Sequence, residues 1–123
     1  MEIGFPEGTA TLVCLCDGTT SLYMGRGGGI LGGQACETVR TAGAKFLGLA
    51  SDCLASMNKA KTFPLPGTGR VCFYVLTMSG VFAIDEDEQL LGDGKHRLSH
   101  LFYAGHDVIG NLRILSEQAR SSR

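Results

Sequence analysis

Thr9-Ala10-Thr11-Leu12-Val13-Cys14-Leu15-Cys16, then Asp17-Gly18, then Ser21-Leu22-Tyr23-Met24, is the stretch that decides the fold class. The first run is short, apolar and partly β-branched, as a buried strand requires. Asp-Gly supports the positive φ angles of a tight turn, so the chain is expected to return on itself as an antiparallel hairpin. A second such unit follows downstream. Arg70-Val71-Cys72-Phe73-Tyr74-Val75-Leu76-Thr77 reads as a strand, Ser79-Gly80 as its turn and Val81-Phe82-Ala83-Ile84 as the returning strand.

Each hairpin precedes a helical pattern. From Gln34 to Asn58 the residues Val39, Ala42, Phe46, Ala50, Leu54 and Met57 recur at i, i+3, i+4 spacing and form one apolar stripe. After Asp85-Glu86-Asp87-Glu88, expected to leave the sheet, and an exposed Gly92-Asp93-Gly94 loop, Ser99 is a candidate N-cap for a last helix. Its stripe is Leu101, Phe102, Gly105, Val108, Ile109, Leu112 and Leu115. The expected architecture is an α+β two-layer sandwich of order ββαββα, an antiparallel sheet of two hairpins with two amphipathic helices on one face. The expected core is Leu12, Val13, Leu15, Phe46, Leu54, Val71, Phe73, Val75, Phe102, Ile109 and Leu112.

This order of elements (Thr9 to Met24 around Asp17-Gly18, Gln34 to Asn58, and Arg70 to Ile84) resembles the roadblock and longin domains, relatives of the profilin-like architecture. The resemblance implies a dimeric regulator or scaffold, of the kind that often serves small GTPases. The chain departs from that pattern twice. Met1 to Gly8, with Gly4, Pro6 and Gly8, does not supply the family's first helix, and four strands are read where the family has five.

At 123 residues, with 44% hydrophobic and 19% charged side chains, the chain has the make-up of one folded domain over 1–123 and not of a disordered segment. Eleven basic against twelve acidic residues give a net charge of -1, which speaks against general nucleic-acid binding by phosphate neutralisation. No apolar run approaches the roughly 20 residues of a membrane helix. Met1-Glu2-Ile3-Gly4-Phe5-Pro6 lacks a secretory pattern, and Ser121-Ser122-Arg123 lacks a lipidation or retention motif. Five cysteines, an odd number in apolar surroundings, are expected to be reduced and mostly buried, which points to a cytoplasmic protein.

Candidate chemistry concentrates in Gly25-Arg26-Gly27-Gly28-Gly29-Ile30-Leu31-Gly32-Gly33. Backbone N–H groups of such a loop ahead of a helix can cradle a phosphate or another anion. Arg26, Gly27, Gly28, Gly29, Gly32 and Gly33 are therefore the candidate ligand-binding residues. The segment lacks the Gly-Lys-Ser/Thr of a phosphate loop and the downstream acidic residue of a dinucleotide site. A packed or flexible connection is the simpler reading.

Other constellations are incomplete. Cys14 and Cys16 share one side of a strand and Cys72 is placed to join them, but a zinc site needs a fourth ligand. His96 and His100 are four apart, although a cap at Ser99 leaves His96 in the loop, and His100 and His106 read as solvated. The acidic run ends in Gln89-Leu90, which breaks a calcium loop. Cys36, near a helix start, is the least implausible nucleophile. No catalytic residue, metal or cofactor is expected. Two functions remain: a small interaction or regulatory domain acting as a homodimer with protein partners, or a small-molecule or anion-binding module, conceivably an enzyme, using Gly25–Gly33.

Overall fold

The hairpin expected from the opening stretch forms. Gly8–Cys14 (β2) pairs antiparallel with Thr20–Met24 (β3), with Leu12 opposite Leu22 and Val13 opposite Ser21. The turn is longer than two residues: Asp17 Oδ1 accepts from the Thr19 N–H at 2.9 Å, and Gly18 takes a φ of 93°. In this computed structural model, which describes residues 1–121, the strand chain then continues into Gly29–Ile30 (β4) against β3. Residues 122–123, part of the C-terminal end read for targeting motifs, lie outside the described residues.

The largest correction concerns the N-terminus. Glu2–Phe5 (β1) is a strand in the middle of the sheet, with Ile3 opposite Ala10 of β2 on one side and Val71 on the other. The four strands read in the sequence do not include it. Arg70–Thr77 (β6) and Gly80–Asp87 (β7) form the second hairpin in full register, and Asn58–Lys59 (β5) adds to the far edge of β7. The result is a seven-stranded antiparallel sheet of order β4-β3-β2-β1-β6-β7-β5. The class is α+β as expected, but the order is not ββαββα.

Helix Glu37–Asp52 (α1) is shorter than the 34–58 expected from its stripe. Its last turn tightens, with the Cys53 N–H shared between Leu49 O and Ala50 O at 3.1 Å, and Leu54–Ser56 continues as a 3-10 turn. Leu54 and Met57 keep their apolar role outside the helix, which is why the period ran on. The acidic run does not leave the sheet at Asp85: β7 extends to Asp87, whose Oδ1 accepts from Leu90 N at 3.1 Å and caps the short helix Glu88–Gly92 (α2). Ser99 is the buried first residue of Ser99–Ser121 (α3), and its Oγ accepts from the His96 N–H at 3.2 Å.

Helices α1 and α3 pack together on one sheet face. A Cβ at Gly43 of α1 would meet Thr20 Oγ1 at 3.5 Å and Cys14 Sγ at 3.9 Å, while Gly105 of α3 lies against Met1 and Phe46. Ile3, Leu12, Leu22, Val71 and Phe73 point into this layer and meet Phe46, Leu101, Val108 and Leu112. Among the expected core residues, Val13, Leu54 and Val75 are only half-buried and Leu15 is exposed. Leu15 lies past the end of β2, where no helix covers it.

The opposite sheet face carries no helix. The segment 60–69 crosses part of it: Tyr74 donates its hydroxyl to Pro64 O at 2.7 Å, Phe63 meets the Tyr74 ring edge-on with centroids 5.9 Å apart, and the Gly67 carbonyl sits directly over Gly4. The Pro64–Pro66 loop covers part of this face.

Candidate functional site

The candidate anion loop is split by the fold. Arg26, Gly27 and Gly28 form the β3–β4 turn, where Met24 N donates to Gly28 O at 3.1 Å and Gly27 N to Met24 O at 3.0 Å. Gly29 belongs to β4, and Gly32 and Gly33 lie beyond its other end, at the level of Thr20. Gly33 is buried, and a Cβ there would come within 2.8 Å of Val39 Cγ1. The structure brings Arg26, Gly27 and Gly28 together and leaves Gly32 and Gly33 apart from them. Helix α1 begins only after Cys36.

The cysteines separate too. Cys14 pairs with Thr20 on the helix-covered side, whereas Cys72 stands opposite Glu2, one residue out of phase with Ile3 and hence on the other sheet face. All five thiols are free; Cys53 and Cys72 are buried, Cys14 and Cys36 intermediate, Cys16 exposed. Cys36 Sγ lies 3.2 Å from Thr38 Oγ1, which holds its thiol below the usual range. His96 is not simply solvated. Its Nδ1 accepts from Leu98 N at 2.9 Å and its Nε2 lies 3.0 Å from Glu86 Oε2. His100 Nε2 is 3.7 Å from Cys53 Sγ, but burial pushes that thiol up, away from nucleophilic use. Among the described residues no group of three or more His, Cys, Asp or Glu is placed to hold a metal ion, and no helix is long and apolar enough to cross a membrane.

A different site was hidden from sequence reasoning. Strand β1 is shorter than both its neighbours. Met1, just ahead of it, exchanges two hydrogen bonds with Leu12: Leu12 N to Met1 O at 2.8 Å, and the Met1 ammonium to Leu12 O at 3.0 Å. Past that point β2 and β6 run on without β1 between them, leaving a notch of about 350 Å³. Its walls are Val13 to Cys16 and Phe73 to Leu76, and its inner floor is Phe46, Leu47 and Ala50 of α1. Adjacent strands lie about 4.8 Å apart, so two strands flanking one strand position are separated by roughly 9–10 Å.

Hydrogen bonding in an antiparallel ladder alternates sides from residue to residue. Because Leu12 bonds to Met1, the main-chain N–H and C=O of Cys14 also turn toward the notch. The same alternation makes Glu2 and Cys72 the bonded pair on β6, so Tyr74 and Leu76 turn theirs toward it from the other wall. The notch therefore has apolar side chains on its floor and main-chain donors and acceptors on both walls.

Its closed end holds the Met1 amine. Burial lowers the Met1 amine from its ordinary value, and among the described residues no carboxylate lies within ion-pairing distance of it. The Glu2 carboxylate instead accepts from Thr11 Oγ1 at 3.1 Å. Burial also pushes the Cys14 thiol up to about 11, against the opposing pull of the amine.

These shifts set a pH dependence. The amine's folded value lies below the ordinary 8.0, so the unfolded chain holds the extra proton, and stability rises as pH climbs toward and past 8. The thiol's folded value lies above 9.0, so its contribution is full below that value and lost as pH rises through about 11. Urea midpoints are expected to increase from neutral pH to between 8 and 9 and to fall above it. Cys14→Ala should make the alkaline fall shallower. An alkaline limb parallel to the parent's would remove Cys14 from this account.

No family model, curated protein or solved structure matches the chain.

Proposed function

We propose that this chain is a small cytoplasmic interaction domain that works as a homodimer and holds protein partners through its sheet. One observation carries the reading: the sheet face opposite the helices and the 60–69 segment that crosses it expose large apolar side chains. Leu76 is 75% exposed, Leu65 67%, Phe63 59% and Tyr23 48%. A monomer seldom tolerates a contiguous apolar patch beyond a few hundred Å². The order of elements that resembles the dimeric roadblock and longin domains points the same way, and five free thiols suit a reducing compartment.

A two-fold pairing of this face with itself is the simplest occupant, since homo-oligomers are most often C2 dimers. Light scattering is expected to give twice the chain mass of 13.0 kDa at micromolar concentration. Leu65→Asp, which sets a charge on the exposed part of the crossing loop, should return it to the single-chain mass while circular dichroism shows an intact fold. A parent mass of one chain with no concentration dependence would overturn the dimer.

A further inference from the structure

We propose that the cleft between the C-terminal half of α3 and the helix-covered face of β3 and β4 binds a single-chain amphiphile of the fatty-acid class, its tail on Leu22, Met24 and Ile30 and its carboxylate on Arg113 and Ser116. The site lies on the helix side of the sheet, away from the outer face, and does not rest on the dimer reading.

The cleft exists because α3 changes character along its length. Up to Leu112 the residues it turns to the core are apolar and buried, and Leu115 packs at the edge of that stripe. Arg113, Ser116, Glu117 and Arg120 then stand across from Leu22, Met24 and Ile30, over a gap of about 360 Å³. Leu22 and Ile30 are opposite each other in the ladder, and Met24, two residues on, shares their face. A polar helix face does not close down on such a floor, because its charged groups would lose their water. The gap is left apolar on one side and charged on the other, the lining of a site for a molecule with one apolar and one polar end.

Charge selects the head group. Among the described residues Arg113 makes no hydrogen bond or ion pair. Glu117 is four residues on, in the weaker order for a helical pair, and does not close onto it. Arg120 has another role: in the last turn of α3 its charge complements the negative end of the helix. That end effect fades within about one turn, so Arg113 is an unmatched cation beside an apolar floor, with the Ser116 hydroxyl one turn further along. A carboxylate accepts from both, and such charge-assisted bonds are stronger than neutral ones. With Glu117 set against the two arginines the cleft has a net charge of +1, which a monoanionic head neutralises and a dianionic one overshoots.

Size selects the tail. One turn of α-helix with its side chains occupies about 400 Å³ or more, so a partner helix does not fit. An alkyl chain does. Beyond Met24 a second hollow of about 300 Å³ opens, lined by Phe5, Ala10 and Met24 itself, so a tail that outgrows the first cleft continues along the same sheet face. Phe5 and Met24 are both exposed, and such a tail takes their apolar surface out of water.

The test titrates the full chain calorimetrically with sodium decanoate and sodium dodecanoate, each below its micelle-forming concentration. Saturable binding of one molecule per chain is expected. Two added CH2 groups should tighten it about tenfold or more, since each one buried is worth about fourfold. Dodecyltrimethylammonium, with the same tail and a cationic head, should bind about tenfold or more weakly than dodecanoate. Arg113→Gln, at an exposed position, should leave the fold intact by circular dichroism and remove most of that difference. The Met24 methyl resonance should shift on titration, while that of Met78, fully exposed at the β6–β7 turn, should not. Equal affinity for the two head groups, an Arg113→Gln chain that keeps the preference, or no saturation up to about 1 mM overturns the proposal. So does a Met24 signal that stays in place, or uptake of many molecules per chain with a falling melting temperature, which is detergent action. Binding that weakens as protein concentration rises would make a second copy the occupant, and overturns it too.

Discussion

Phe102→Ala is expected to lower stability by about 3–5 kcal/mol, the cost of removing a buried aromatic side chain and leaving a cavity. Phe102 is 5% exposed and sits where α3 meets α2. Its Cε2 lies within 3.8 Å of the Cβ position at Gly92, and its ring meets His106 edge-on with centroids 4.5 Å apart. Its own N–H donates to Leu98 O at 3.1 Å, so the side chain projects from the first turn of α3. That turn fixes the angle at which α3 leaves the loop after α2. Natural domains are stable by about 5–15 kcal/mol, so the loss takes a large share of the total. The melting temperature should drop by roughly 10–20 °C, and a urea titration should show a lower midpoint with an unchanged slope. A loss below about 1 kcal/mol would mean that the first turn of α3 is not seated on the core.

The parts of this fold that the sequence made legible are those with a local signature. The β2–β3 and β6–β7 hairpins and the stripe of α3 follow from alternation, turn residues and the 3.6-residue period, and each is where that reading puts it. Strand β1 has no such signature. It is four residues long, contains Gly4 and is followed by Pro6, and only its two long-range partners make it a strand. The helix boundary after Asp52 was blurred because Leu54 and Met57 face the same core from a 3-10 turn and the chain beyond it. The phase of Cys14 against Cys72 depends on the register of β1 between their strands, which no local pattern encodes.

The notch was illegible for the same reason. It arises where a short central strand stops between two longer ones, and Val13 to Cys16 and Phe73 to Leu76 read alone are ordinary strand ends. The glycine segment shows the converse. Its composition advertises a ligand loop, whereas the structure uses Gly27 and Gly28 for positive φ in a turn and Gly33 for close packing. A glycine count reports that backbone comes close to something. It does not report to what.

That distinction can be measured with two glycine-to-alanine changes of opposite sign. At Gly4, in the middle of β1, φ is not positive, so the backbone itself would accept a side chain. By conformational entropy alone alanine would be preferred there by about 0.5–1 kcal/mol. The obstacle is the crossing loop. A Cβ at Gly4 collides with the Gly67 carbonyl and comes within 2.8 Å of Pro66 O, both main-chain atoms with no rotamer to yield. Those atoms are tied down: Arg70 N donates to Gly67 O and Gly69 N to Gly4 O, each at 3.0 Å. Relieving the clash means lifting residues 66–69 from the sheet and breaking at least the Gly69 bond. Gly4→Ala should therefore destabilise by about 1–3 kcal/mol, the usual cost of overpacking, despite its entropic advantage. Gly48 is the control. It lies exposed in α1 with nothing within 4 Å of its Cβ position, so Gly48→Ala should stabilise by up to about 1 kcal/mol through helix propensity. Urea midpoints moving down for the first and up for the second would show that the 60–69 loop is clamped onto β1. A neutral or stabilising Gly4→Ala would show instead that the loop rides free of the sheet, leaving the outer face open where residues 66–69 cross it.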